Sequence, residues 1–134
     1  MNRFLGPYQE QIYAIVRFVS GFLFAFHGAQ KLFGLYWPAD APPMELNAMM
    51  TIGGVIELGG GILIAIGLLT SWAAFLASGM MAVAYFMAHQ PNGMWPIQNG
   101  GELAAIYSFL FLYVAAKGSG KWSVASAAGN PKLS

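Results

Sequence analysis

Apolar residues are gathered into four long stretches along the chain, and polar or helix-breaking residues separate them. The stretches cover residues 12–33, 48–69, 72–89 and 99–116, and each approaches the roughly 20 residues that a helix needs to cross a ~30 Å hydrocarbon core. The first stretch follows Arg3, as a secretory signal would, but it is too long for a signal and no small-residue cleavage motif follows it. We therefore predict four retained membrane-spanning helices.

The connecting segments contain residues that interrupt helices. Three prolines lie between the first two stretches, and two lie between the last two. Thr70 and Ser71 join the second and third stretches so closely that they must form an antiparallel hairpin, with a hydroxyl available to cap the third helix. The pattern predicts an all-α, integral membrane four-helix bundle with up-down-up-down topology. It forms a single domain, and its small, polar tail at residues 119–134 is expected to be frayed.

The composition indicates a protein that is dissolved in lipid. Hydrophobic residues make up 57% of the chain and charged residues only 8%, whereas soluble domains carry roughly a quarter charged residues. The formal net charge is +1 and no basic run is present, so nucleic acid is not expected as a partner. The chain has no cysteine, which excludes iron–sulfur clusters bound by cysteine and covalently attached haem.

The distribution of Lys and Arg predicts the orientation in the membrane. An even number of spans puts both termini on one side, where Arg3, Lys117, Lys121 and Lys132 lie, whereas only Lys31 lies on the other side. Because cytoplasmic segments are enriched in Lys and Arg, both termini are expected in the cytoplasm.

Ionisable side chains inside the predicted spans are the candidate functional residues, because charge at membrane depth is costly and usually faces the interior of a bundle. Under the predicted topology, most of them lie in the half of the membrane next to the outer surface. A helical wheel also places Arg17, His27 and Lys31 within one arc of about 120°. The set consists of Arg17, His27, Lys31, Glu57, His89 and Glu102.

Glu57 is the strongest candidate in this set. A desolvated carboxylate inside a span must either take up a proton or bind a cation. Gly53, Gly61 and Ala65 recur around it at intervals of four residues, so a neighbouring helix should approach closely. A pair of His27 and Glu57 acting as a proton relay is one interpretation, although the predicted spans place Glu57 about one turn deeper.

Several candidates also have structural explanations. Asn99 and Glu102 have the spacing of a capping box, which would only start a helix. Lys31 lies near enough to a span end to extend toward the outer interface, whereas Arg17, about 8 Å from the inner end, could equally extend inward or bind a buried partner. The two histidines, His27 and His89, suit a proton-carrying or hydrogen-bonded role better than haem b ligation, because their depths do not match. No metal site is predicted.

Four ordered motifs, which cover about residues 17–123, resemble those of the DoxX family of small membrane proteins. They are FHGAQKLFG at 26–34, GVIELGGG at 54–61 with GLLT at 67–70, AYF at 84–86 leading to HQP at 89–91, and NGGE at 99–102 with GSGKWS at 118–123. The resemblance implies a four-helix bundle in the prokaryotic cytoplasmic membrane, associated with quinone-linked or thiol-linked oxidoreductases. The family's recurrent positions appear here as His27, Lys31, Glu57, His89, Asn99 and Glu102.

We therefore expect a quinone-linked redox accessory or oxidoreductase subunit with a polar pocket near the outer face. Glu57 and His27 would handle the protons of a quinone-like molecule, and Arg17 or Lys31 would balance charge. The expected substrate-binding residues are Arg17, Lys31, His89, Asn99 and Glu102. Electron transfer would also require a redox partner protein, either soluble or in the membrane.

Two other functions remain open at this point. In a small proton-coupled transporter, the same residues would form a path for a solute. Four helices enclose little lumen, so this function would require a homo-oligomer. In a non-catalytic membrane anchor for soluble redox enzymes, the polar cluster would only fix the register of the helices.

Overall fold

The computed structural model describes residues 3–134, and this part of the chain is 74% helix with no strands. Three helices are long and apolar enough to cross a membrane: α1 (Gly6–Phe33), α2 (Ala48–Ile66) and α3 (Thr70–Asn92). They are followed by a short helix, α4 (Pro96–Asn99), and by α5 (Glu102–Lys117) and α6 (Val124–Ala128). The protein is therefore an all-helical membrane protein.

The fourth apolar stretch forms a shorter helix than the sequence predicts. Pro96 starts α4, and Gly100, with a φ of +71°, ends it in the left-handed conformation. Residues 96–99 therefore belong to a separate turn of helix, and α5 begins only at Glu102. With 16 residues, α5 is about 24 Å long.

Helices α1 and α2 are antiparallel and lie in backbone contact. A Cβ atom at Gly21 would lie 2.6 Å from the Ala65 amide nitrogen and 2.7 Å from the Gly61 carbonyl oxygen. Gly28 makes the same kind of contact with α2 further along α1. The predicted close approach at Gly61 and Ala65 is thus confirmed, whereas Gly53 lies outside this contact and faces α3 instead.

Helices α3 and α5 form a second antiparallel pair, which is packed through small side chains. Ala74 and Ala77 of α3 are fully buried, and Ala104 of α5 is 8% exposed. The Ser78 hydroxyl donates a hydrogen bond to the Ser108 carbonyl across the pair, at 2.7 Å. Small residues therefore set the close spacing of both helix pairs.

Aromatic side chains fill the space between the two pairs. Phe24 of α1 packs against Tyr107 and Phe111 of α5, with ring centroids 5.4 and 4.8 Å apart. Tyr13 lies edge-on to Tyr113 at 5.9 Å, in the half of the molecule nearer the tail. Aromatic side chains thus form the core between α1 and α5, whereas small residues bring the two helices of each pair close together.

The turn between α2 and α3 occupies residues 67–69, and both Gly67 and Leu69 have positive φ angles, +73° and +49°. The expected cap of α3 by a hydroxyl is absent from this turn. Thr70 is fully buried, and its hydroxyl lies 2.7 Å from the hydroxyl of Ser119. A hydroxyl enclosed between helices requires a partner there, which this pairing supplies.

The tail is folded, in contrast to the frayed segment that we expected. Ser123 and Ser126 form a capping box that starts α6. The backbone N–H of Ala125 donates to the Gly67 carbonyl at 3.1 Å, which ties α6 to the turn between α2 and α3. Serines of this small, polar segment therefore supply hydrogen bonds that order the tail.

Candidate functional site

A cavity of ≈ 440 Å³ lies at the end of the molecule where α1 and α3 finish and α2 and α5 begin. Residues of α1, α2, α3 and α5 line it, and most of these side chains are apolar. The volume falls within the roughly 300–1,000 Å³ that is typical of small-molecule sites. Its polar lining residues are His27, Lys31, Glu57, His89 and Tyr107.

Glu57 is paired with a cation, as a buried carboxylate requires. The residue is 2% exposed, and its Oε1 atom lies 2.6 Å from the Nζ atom of Lys31. Its other oxygen, Oε2, is buried and has no hydrogen-bond partner among the residues that the structure describes. Because buried acceptors are normally satisfied, Oε2 lacks the hydrogen bond that a buried carboxylate oxygen usually has.

Two π-helical turns contribute to the cavity wall. Ile56–Gly60 in α2 contains Glu57, and Tyr85–His89 in α3 contains His89. A π turn is a local departure from the regular α-helix and is frequent at functional sites. Both turns present a polar residue to the same cavity.

His27 lines the cavity without binding Glu57 directly. No hydrogen bond or ion pair joins the two side chains in the described part of the chain, because Lys31 occupies the partner position. His27 is exposed and lies edge-on to Tyr107, with ring centroids 6.4 Å apart. A proton relay between His27 and Glu57 would therefore need a bridging water or ligand in the cavity.

Asn99 joins the end of α3 to the start of α5 and does not line the cavity. The backbone carbonyl oxygen of Asn99 lies 3.3 Å from His89 Nδ1. Its side-chain Nδ2 atom donates to the Tyr85 hydroxyl at 3.2 Å and to the Gly93 carbonyl at 3.0 Å. Its side-chain oxygen accepts from the Gly101 N–H at 2.8 Å. Asn99 thus orients His89 from outside the cavity.

Glu102 also lies outside the cavity lining, exposed at the first position of α5. The capping box that its spacing suggested is absent, since Gly101 is the N-cap residue and offers no side chain. The reason is that Asn99 belongs to α4 and turns its side chain to Gly101.

Arg17 lies toward the opposite end of the molecule and is 1% exposed. Its Nη1 atom donates to two carbonyls near the end of α2, at 2.7 and 2.8 Å, and its Nη2 atom donates to the Trp122 carbonyl at 2.8 Å. The final carbonyls of a helix lack partners within it, and the guanidinium supplies them. Arg17 therefore joins α2 to the tail, and the cation beside Glu57 is Lys31.

Tyr107 and the methionines of the cavity were not among the residues predicted from the sequence. The signal that could have revealed the methionines is that most of them occur as adjacent pairs, one in the second span and one in the third. His27 and His89, whose depths were expected not to match, both line this one cavity. The lining methionines are Met49, Met50, Met80, Met81 and Met87.

Comparison with known proteins supports the family resemblance of the motifs. The DoxX family model matches residues 12–90, which include His27, Lys31, Glu57 and His89. An uncharacterized protein of Haemophilus influenzae is 40% identical over 122 residues, covering 87% of this chain and 90% of the relative. Another from the same organism is 28% identical over 120 residues, covering 82% of this chain and 78% of the relative. No solved structure matches. The chain belongs to the DoxX family.

Proposed function

We propose that the protein is a quinone-linked redox accessory or oxidoreductase subunit, and that its cavity binds a quinone-like molecule. The observation that carries the proposal is the buried Oε2 atom of Glu57, which lacks a partner while Lys31 holds Oε1. An ionised Oε2 accepts a hydrogen bond from a quinol hydroxyl, and a protonated one donates to a quinone carbonyl. The same side chain therefore suits both redox forms of such a ligand.

The remaining lining suits an aromatic head group. Phe24 and Tyr107 offer ring surfaces, and the methionine side chains can adapt to the shape of a ligand. The cavity is thus largely apolar with a few polar groups, as small-molecule sites usually are.

The residues of this chain would act on the protons of the reaction. Reduction of a quinone takes up protons together with electrons, and the electrons would come from a redox partner protein. Glu57 and His27 are the acid–base groups in the cavity, with Lys31 placed to balance the carboxylate charge. His89, oriented by Asn99, is a further polar contact for the head group. Arg17 and Glu102 have no contact with the cavity in the described structure, so we assign them no role in binding.

The test is to purify the protein in mild detergent, extract its bound small molecules for mass spectrometry and record the visible spectrum. We expect the wild type to retain a quinone. Glu57→Gln should weaken its binding about tenfold or more, because a hydrogen bond to a charged group contributes about 1.5–3 kcal/mol. Glu45→Gln, a change in the exposed loop between α1 and α2, should have no effect.

Other results of this experiment would point elsewhere. A Soret band would indicate haem b bound by the histidines. Solute uptake into proteoliposomes that depends on a pH gradient and on Glu57 would indicate a transporter. If Glu57→Gln retained as much quinone as the wild type, the assignment of Glu57 to the ligand would be wrong. The absence of both ligand and uptake would favour a non-catalytic anchor.

We further propose that α1, α2, α3 and α5 form a four-helix bundle in the prokaryotic cytoplasmic membrane, with both termini in the cytoplasm. Consecutive long helices are antiparallel, and all four carry large apolar side chains on their outer surfaces. Examples are Phe22, Ile62, Phe75 and Phe109, which are 48%, 47%, 58% and 75% exposed. The modest length of α5 is compatible with a span, because local thinning of the bilayer accommodates a short helix.

A further inference from the structure

We infer, on the basis of the proposed function, that the ligand enters the cavity sideways from the lipid phase, through a gap between α2 and α3 that then holds its apolar tail. The ligand class is thereby narrowed to molecules that combine a hydrogen-bonding head with a long apolar chain. The head would bind Glu57, and the chain would leave between the two helices.

The gap arises because α2 and α3 are in contact along only part of their length. Their backbones are close from the turn at 67–69 to the π turn Ile56–Gly60, whereas Ala48–Val55 has few contacts with α3. The first half of α2 is instead packed on α1. The two helices therefore separate beside the cavity, on a side of the molecule that faces lipid in the proposed bundle.

Several side chains along this gap line the cavity and are also exposed on the outer surface of the molecule. Met49 and Gly53 of α2, and Met80, Val83 and Met87 of α3, all line the cavity. Met49, Val83 and Met87 are also 58%, 55% and 58% exposed. Methionine is unbranched and flexible, so these side chains can move to admit a chain without any change in the backbone.

The position of Gly53 connects this gap to the head-group site. Gly53 lies four residues before Glu57, so the two residues are neighbours on one face of α2. It is also about 8 Å inside the start of the helix, at a depth where the surroundings are acyl chains in the proposed bundle. A head group bound beside Glu57 would therefore have Gly53 and the gap next to it on the same face of α2.

The test fills the gap from α2. Among the described residues, a Cβ atom at Gly53 would meet only Met80 Sδ, at 3.8 Å, so Gly53→Leu adds a side chain without a backbone clash. Gly79→Leu on α3 is the control, because Gly79 does not line the cavity and a Cβ there would have no described atom within 4 Å. Circular dichroism and size-exclusion chromatography would verify that both variants fold. Met87→Trp narrows the gap independently, from α3.

The measurement compares two quinones with the same head group, one with a decyl tail and one without a tail. We expect the wild type to prefer the tailed quinone, and we expect the ratio of the two affinities to fall at least tenfold in Gly53→Leu. The ratio should be unchanged in Gly79→Leu. An unchanged ratio in both Gly53→Leu and Met87→Trp would overturn the inference.

A second probe separates this inference from the proposed function. A dodecanol with a terminal diazirine has a hydroxyl head and an apolar chain but no redox chemistry. In the wild type it should label peptides that contain Met49, Met80 or Met87, and Gly53→Leu should reduce that labelling at least fivefold. Such labelling without any quinone binding would refute the proposal that the ligand is a quinone, but it would support entry of the ligand between α2 and α3. Labelling that avoids these peptides, or that Gly53→Leu leaves unchanged, would refute the lateral route.

Discussion

Glu57 carries a buried carboxylate with Lys31 beside one oxygen, while the other oxygen has no hydrogen-bond partner among the described residues. Lys31→Met would leave that carboxylate without its cation, and removal of one partner of a buried pair typically costs about 3–5 kcal/mol. We expect a corresponding decrease in the free energy of unfolding, measured in detergent by chemical denaturation.

Replacement of both partners separates stability from ligand binding. The double variant Lys31→Met/Glu57→Leu should recover most of the lost stability, because apolar side chains in place of a buried pair are often neutral or stabilising. It should nevertheless fail to retain the ligand. Lys117→Met is the control, because Lys117 pairs with a partly exposed Glu10 at 2.9 Å and such pairs contribute little to stability. This variant should unfold like the wild type. Wild-type stability of the single Lys31 variant would show that the carboxylate does not depend on this cation.

The need of Glu57 for either a proton or a cation was predictable from sequence, but the choice between them and the identity of the cation were not. Lys31 and Arg17 lie within the same arc of α1, and only the depth of α2 relative to α1 decides which of them meets the carboxylate. That depth is set by the contacts of Gly21 and Gly28 with α2. The spacing of small residues indicates that such contacts exist, but it does not specify their register.

At the scale of the helices, the close contact of α1 and α2 leaves no space for a methyl group. A Cβ atom at Gly61 would lie 2.5 Å from the Ala25 nitrogen and 2.6 Å from the Gly21 carbonyl oxygen. Gly61→Ala must therefore separate the two backbones, and we expect overpacking to lower the stability by about 1–3 kcal/mol. Thermal unfolding in detergent would measure the change.

Gly79 of α3 provides the matched control for this substitution. A Cβ atom at Gly79 would have no described atom within 4 Å, so Gly79→Ala adds only the helix preference of alanine, about 1 kcal/mol at most. Its stability should equal or exceed that of the wild type. If Gly61→Ala were as stable as Gly79→Ala, the backbone contact between α1 and α2 would not be required.

The long helices were predictable because their apolar stretches are long and bounded by proline, glycine and polar residues. The π turns were not, since nothing in the composition of Ile56–Gly60 distinguishes a π turn from an α turn. The order in the tail was also missed. That order depends on hydrogen bonds between the tail and two groups, the Arg17 side chain and the Gly67 carbonyl. Both groups are far from the tail in sequence, and they come together only after α1 and α2 pair.

At the scale of the whole molecule, the absence of cysteine makes the topology directly testable. Ala39→Cys, in the loop between α1 and α2, and Lys132→Cys, in the tail, would each carry a single thiol. In intact cells, a membrane-impermeant maleimide should label Ala39→Cys but should label Lys132→Cys only after the membrane is disrupted. The reason is that the four proposed spans put both termini on one side of the membrane, and the proposed orientation makes that side the cytoplasm.

The tail position distinguishes four spans from three. If α5 did not cross the membrane, α1, α2 and α3 would leave the tail outside, and Lys132→Cys would be labelled in intact cells. Labelling of Lys132→Cys alone would show that the orientation is inverted.

The lipid environment and the family could be predicted from sequence, whereas the cavity could not. Composition and span length determine the solvent, because too few polar residues are present to cover a soluble surface. A cavity depends on the rotation of four helices and on the place where α2 and α3 separate. Neither quantity leaves a local pattern in the sequence.

The arrangement in two tightly packed pairs has a mechanical consequence. Backbone contacts hold α1 to α2, and small residues hold α3 to α5, but where α2 and α3 separate beside the cavity, side chains of the aromatic layer join one pair to the other. The three-residue turn at Gly67, together with the tail that covers it, links the pairs at the end remote from the cavity. A slight rotation of one half about that pivot would break no helical hydrogen bond, and it would widen the cavity mouth more than any other part of the molecule.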